Sequence, residues 1–141
     1  MEKNIAKALK TVTAIIGNDN YKTMLQINNH LLVADEPEQV GGKDQGPAPA
    51  EFLMSSLATC TAITLRMYVQ HKSWDVGEIN VQVCLEHNND HGNLTTNIVR
   101  FVSVSKQVDY DKLQHLIAIA NSCPIHNLLT HPININTSIK Y

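Results

Sequence analysis

The chain has 141 residues, enough for one domain that buries roughly 68–70% of the surface its unfolded form exposes, without disulfide or metal staples. A net charge of −2 leaves no basic excess to displace counterions, which excludes a general nucleic-acid binder or a binder of anionic membranes. Only 17% of residues are charged, which suits a surface partly covered by a partner chain.

The N-terminal "MEKNIAKALKTVTAIIG" has an early acid and no long apolar core, so it does not read as a secretory signal. From Lys10 to Ile16, apolar and β-branched residues alternate, and Gly17 to Asn20 mark a turn. Tyr21 to Ile27 predicts a second strand, Asn28 and Asn29 a turn, and Leu31 to Ala34 a short third strand. Asp35 to Pro49 reads as a loop broken by Pro and Gly.

A long helix follows over 49–72. Pro49 suits its first position, where the missing N–H has no helical partner in any case. Leu53, Leu57, Cys60, Thr64 and Met67 recur at helical spacing and predict the packed stripe. Ala58, Thr59, Thr61 and Ala62 would let another helix approach closely, and Arg66, His71 and Lys72 sit near the end where cations suit the helix dipole. No stretch approaches ~18 consecutive apolar residues, so no membrane span is expected.

After Gly77 the period changes to two. Ile79, Val81, Val83 and Leu85 face one way, and Asn80, Gln82, Cys84 and Glu86 the other. His87 to Asn93 reads as a hairpin loop. Thr95 to Ser105 returns as a strand, with a bulge expected near Arg100, where the alternation slips. Asp109 can cap a helix carrying Leu113, Leu116, Ile117 and Ala120. Cys123 to Leu129 is a turn or short helix, and Ile133, Ile135, Thr137 and Ile139 predict a last strand. The layout expected is a single α+β domain over 1–141: strands within 10–34, helix 49–72, strands within 78–105, helix 109–122, strand 133–140.

Three cysteines are too few for a secreted disulfide framework, and the odd number leaves one unpaired. A cytoplasmic chain is expected, with cysteines that are buried, metal-bound or catalytic. Cys60, in mid-helix, is either a small core hydrophobe or a thiol activated by a neighbour the sequence does not show. Cys123 precedes Pro124. It either caps a short helix begun by Pro124, where free N–H groups favour thiolate, or merely ends the preceding helix. Cys84, on the polar face of its strand, is packed under another layer or exposed. A metal held by Cys123, His126 and Cys60 is a remote third reading, because seven histidines make such pairs common by chance. His115, His126 and His131 read first as surface or capping groups. No metal and no cofactor are expected.

At "GPAPAEFLMSSLATCTAITLRMYVQHKSW" and "ANSCPIHNLL" the chain resembles the OsmC/Ohr family, the osmotically inducible and organic hydroperoxide resistance proteins. The resemblance follows the element order of nearly the whole chain. It implies an OsmC-like α+β fold of antiparallel sheets around a long central helix, in an intertwined homodimer with two active sites at the shared interface. It also implies a thiol peroxidase, with Cys60 attacking an organic hydroperoxide and Cys123 resolving the resulting sulfenic acid as a disulfide. An external dithiol, in this family often carried on a lipoylated protein, would reduce that disulfide.

Two positions depart from the family. In its best-studied branches a glutamate directly follows the proline and pairs with an upstream arginine that orients the thiolate. Here Ala50 follows Pro49, and Glu51 stands one place later as the candidate acid. On a straight helix Glu51 lies ~13 Å from Cys60, and a first-turn carboxylate is favoured by the dipole in any case. Arg66 and Arg100 are the chain's only arginines, Val40 occupies the expected site, and Lys22 or Lys43 would have to substitute without the planar fork of a guanidinium. The alternative to an enzyme is a non-catalytic OsmC-like protein that binds an apolar ligand or senses redox state.

Overall fold

Alternation in the first third of the chain produces a meander. The computed structural model describes residues 10–141; the reading of the N-terminal stretch as no signal rests mainly on residues 1–9, which lie outside the described residues. Strands β1 (Thr13–Ile16), β2 (Thr23–Ile27) and β3 (His30–Ala34) form an antiparallel sheet in that order. The β2–β3 turn is made by Asn28 and Asn29, with Ile27 opposite His30, and Asn28 takes a positive φ of 53° that asparagine tolerates well.

The chain divides into two compact units, Met1–Phe52 and Leu53–Tyr141. In the first, the loop after β3 is organised by one side chain. Asp35 is buried, and its carboxylate accepts backbone N–H groups from Tyr21, Glu36, Lys43 and Gln45 at 2.8–3.3 Å. A carboxylate satisfied this way substitutes for water across a loop that has only a short turn, Glu38–Val40, of regular structure. Burial pushes the Asp35 carboxyl up, but the four N–H donors hold it below the ordinary value. Its contribution is therefore present above the unfolded carboxyl value of about 3.9 and lost as pH falls through the lower folded value. Asp35→Ala is expected to make residues 35–49 cleavable by protease at neutral pH, while wild type becomes cleavable there only under acid; equal cleavage of both proteins at neutral pH would refute the assignment.

Helix α1 (Pro49–His71) starts with proline as expected. By length and composition alone it is apolar enough to cross a membrane, a test that a core helix also passes. It is also the core helix of the second unit. There its buried stripe is Leu57, Thr61, Leu65 and Val69, not the predicted one: Leu53 and Met67 are exposed. Two adjacent stripes are apolar enough to serve, and contacts distant in sequence select between them.

Those contacts come from β4 (Ile79–Asp90), β5 (Asn93–Val104) and α2 (Tyr110–Ala120). Leu65, Val69, Val76, Leu116 and Ala120 make the core, with Trp74, Ile79, Val102 and Val104 packed on it. β4 and β5 form a two-stranded antiparallel hairpin. Its loop is shorter than predicted: the pairing runs to Asp90 opposite Asn93, and His91 and Gly92, with φ of 50° and 88°, make the turn. Positive φ at both central residues matches the twist of the strands. Asp109 caps α2 through the Lys112 N–H, as expected.

Two further expectations fail. There is no bulge at Arg100, since Cys84–Val99, Val83–Arg100 and Gln82–Phe101 pair in unbroken register. The C-terminal strand over 133–140 is also absent: Ile133, Ile135 and Ile139 are 55%, 86% and 78% exposed, and no described strand pairs with them. Alternation prepares a segment for a sheet, but a strand needs a neighbour to take its hydrogen bonds.

Candidate functional site

The second unit brings two of the three expected site residues together. Cys60 comes from the middle of α1, on the flank of the buried stripe, and is part-exposed. Cys123 comes from the start of α3 (Pro124–Thr130) and is fully buried. Cys60 lies near enough to Cys123 to be among the groups that hold its thiol down, and both are free. Cys123 has the extended backbone of an N-cap, with Pro124 first in the helix, and its sulfur accepts the His126 N–H at 3.3 Å. Of the two sequence readings of Cys123, the cap is the one observed. The cause is local: proline keeps the preceding residue out of the helical region.

The sulfur of Cys123 has further partners. Thr61, one residue after Cys60 on the buried stripe, places its hydroxyl 3.6 Å away. The Arg100 guanidinium, reaching from β5, has Nη1 at 4.0 Å. Arg100 is itself held on all sides: Nη1 donates to Thr61 Oγ1 at 3.0 Å, and Nη2 donates to Asn121 Oδ1 at 2.9 Å and to His126 Nδ1 at 3.3 Å. Because arginine only donates, His126 Nδ1 is the acceptor in that contact. Burial pushes the Cys123 thiol up. The His126 amide, the Thr61 hydroxyl, the Cys60 thiol and the Arg100 charge together outweigh it and hold Cys123 below the ordinary cysteine value.

Arg100 is the residue the sequence reading misses. The sequence points upstream of Cys60 for a cation, to Lys22 or Lys43; the structure supplies one from downstream. The sequence carries a signal for it, a charge on the inward row of β5. Arg100 shares a strand face with Ile98, Val102 and Val104, all part-buried, whereas Phe101 is 59% exposed. The slip in alternation is a charge standing on the inward row, not an inserted residue. A buried-row arginine needs a partner, and the thiol cluster is that partner.

Glu51 belongs to the first unit, and its observed contact is local. Its carboxylate accepts the Ala48 N–H at 2.7 Å, closing the first turn of α1 as half of a capping box. Arg66 donates to the Gly77 carbonyl at 2.6 Å and ties the end of α1 to the start of the hairpin. Cys84, on β4, is half-buried and free. His115 and His131 bond to carbonyls one turn back in the chain, at Asp111 and Asn127.

Beside the cluster lies a cavity of about 630 Å³, lined by Leu57, Ile98, Val102 and Leu129 and bounded on its polar side by Arg100 and His126. It is wide enough for a small apolar molecule and opens next to the residues that touch Cys123.

Comparison with curated proteins by sequence finds no match. Solved structures do resemble the chain. A protein from Psychrobacter arcticus, named for osmotic stress induction and a detoxification response, superposes with a TM-score of 0.73 at 18% identity, covering 89% of this chain and 91% of that one. An organic hydroperoxide resistance protein from Elizabethkingia anophelis gives 0.67 at 21% identity, covering 88% and 91%. The organic hydroperoxide resistance protein OhrB of Bacillus subtilis gives 0.60 at 20%, covering 85% and 89%. At these identities the likeness shows the fold: α+β, with antiparallel sheets and a long helix. The OsmC-like protein family model matches residues 42–138, a span that takes in α1, both strands of the hairpin and both thiols of the cluster, and the chain belongs to that family.

Proposed function

We propose that this protein reduces organic hydroperoxides with Cys60 as the attacking thiol and Cys123 as the resolving one. Membership in the family and the hydroperoxide-resistance proteins among its structural neighbours support a peroxidase-like role. The observation that carries the finer reading is the thiol pair: two free sulfurs from separate helices, adjacent in space, with an arginine on one of them. Cys60 as thiolate attacks the outer peroxide oxygen, the O–O bond breaks, and the alkoxide leaves as alcohol after taking a proton. The Cys60 sulfenic acid then condenses with Cys123, water is lost, and a disulfide forms. An external dithiol returns two electrons and restores both thiols; a lipoyl group on a protein has the required chemistry.

The apolar cavity beside Arg100 and His126 favours an organic peroxide over hydrogen peroxide. A second copy of the chain completes the proposal. The flank of α1 carrying Leu53, Ile63 and Met67, 45–65% exposed, is an apolar row that a homodimer would cover. Glu51 enters as the acid of the motif, with its bond to Ala48 N–H as its observed contact. A reducing compartment such as the cytoplasm supplies the dithiol.

Mild treatment with cumene hydroperoxide is expected to convert the protein to a Cys60–Cys123 disulfide, read by peptide mapping, and dihydrolipoamide is expected to reverse it with turnover. A map showing modification at Cys84 alone, or an absence of turnover with any dithiol, would remove the enzyme reading. It would leave an apolar-ligand binder that uses the same cavity.

A further inference from the structure

The thiol cluster is asymmetric, and the asymmetry bears on the half of the cycle that restores the enzyme. Resting on the thiol-pair reading, we propose that Arg100 makes Cys123 the leaving thiolate when the Cys60–Cys123 disulfide is reduced, so that the reductant attacks Cys60.

Access comes first. Cys123 is fully buried by its own chain, while Cys60 is part-exposed at the edge of the flank that a second copy would cover, so a thiolate entering along that edge meets Cys60 sulfur first. Thiol–disulfide exchange runs in line, with the nucleophile, the attacked sulfur and the leaving sulfur along one axis. Attack from outside on Cys60 therefore pushes charge inward onto Cys123.

That charge lands among donors. Cys123 Sγ is faced by the His126 N–H at 3.3 Å, by Arg100 Nη1 at 4.0 Å and by the Thr61 hydroxyl at 3.6 Å. Thr61 gives its proton to the Leu57 carbonyl at 2.7 Å and accepts from Arg100. Its one hydrogen can turn to sulfur when sulfur becomes anionic. A leaving thiolate of lower proton affinity departs faster, so stabilising Cys123 accelerates the step.

Arg100 is fully engaged. Its four terminal N–H bonds are distributed to Thr61, Cys123, Asn121 and His126. A guanidinium committed in this way is a fixed positive charge beside one sulfur, more than a clamp for the carboxylate of an incoming ligand. Arg100 is thus a positioning residue for Cys123.

Atoms and electrons balance in two exchanges. One thiolate of the dithiol attacks Cys60 Sγ, a new S–S bond forms, and the Cys60–Cys123 bond breaks with its electron pair on Cys123. The second thiol of the dithiol loses its proton and attacks its own sulfur in the mixed disulfide. It closes a cyclic disulfide and expels Cys60 thiolate. Two electrons pass from the dithiol to the protein, and the dithiol's two protons are free to reprotonate the thiols.

The test bypasses peroxide. The disulfide is formed with diamide in wild type, Arg100→Lys and Arg100→Met, and its reduction by dithiothreitol is timed by quenching and mass. Arg100→Met is expected to slow reduction about tenfold, and Arg100→Lys to recover part of the loss. In a Cys60→Ser background, Arg100→Met is expected to shift the midpoint of thiolate ultraviolet absorbance to higher pH, which a merely structural defect would not do. Should the Met variant misfold, wild type alone decides: glutathione is expected to leave its mixed disulfide on Cys60 with Cys123 free. Glutathione found on Cys123, or reduction of Arg100→Met at the wild-type rate, overturns the proposal. Because no step involves a hydroperoxide, failure of the peroxidase reading leaves this measurement intact.

Discussion

Cys60→Ser is expected to lower hydroperoxide consumption with dihydrolipoamide to the rate of the dithiol alone. A serine hydroxyl keeps the size and most of the packing of the thiol in mid-helix α1, so the fold should persist; retained helix content by circular dichroism is the control. What is lost is the nucleophile. A thiol is a few per cent thiolate near neutral pH even without help, and thiolate sulfur attacks peroxide oxygen readily; an unactivated hydroxyl does neither.

Cys123→Ser divides the cycle differently. The first oxidation of Cys60 still occurs, so one equivalent of peroxide is consumed in a burst. With no resolving thiol the sulfenic acid accumulates, trappable by dimedone, and is open to further oxidation to sulfinic acid. Steady turnover then falls well below wild type while the burst remains. The reverse pattern, with the burst lost in Cys123→Ser and kept in Cys60→Ser, would exchange the roles of the two sulfurs. That exchange is physically conceivable because the lowered pKa belongs to Cys123. Access favours Cys60 as the attacking thiol, since the peroxide must reach a sulfur and Cys123 is fully buried.

Local features of this fold were legible in the sequence, and features that depend on distant packing were not. Pro49 at the start of α1, Asp109 as the cap of α2 and Cys123 before Pro124 are each decided by residues within a turn of each other, and the structure has all three. The cysteine pair was legible only through family resemblance. Nothing in the residues around Cys60 says that the chain returns to it two elements beyond the hairpin. Arg100 shows the limit most sharply. Period two marks the strand, but a charge on its inward row looks locally like a bulge, because a bulge is a local remedy and a thiol cluster is not. The C-terminal alternation from Ile133 to Ile139 failed in the opposite sense: the pattern was right for a strand, and no described neighbour accepts it.

The choice between the two apolar stripes of α1 yields the second large effect. Leu65→Ala is expected to destabilise the protein by about 2–5 kcal/mol, seen as a lower denaturant midpoint at unchanged slope. Leu65 is 0% exposed and packs among Val69, Val76, Leu116 and Ala120, so the deleted carbons leave a cavity that α1 and α2 cannot easily close. Met67, two residues on, is 65% exposed, and within a single chain Met67→Ala should change stability by no more than about 0.5 kcal/mol. If a second copy covers that flank, Met67→Ala also destabilises, but with a loss that depends on protein concentration, because dissociation then precedes unfolding. Leu65→Ala carries its penalty at every concentration, since its neighbours belong to the same chain. Equal effects of the two substitutions, both independent of concentration, would mean that the predicted stripe through Cys60 is packed after all. Cys60 would then be no easier for a peroxide or a dithiol to reach than Cys123.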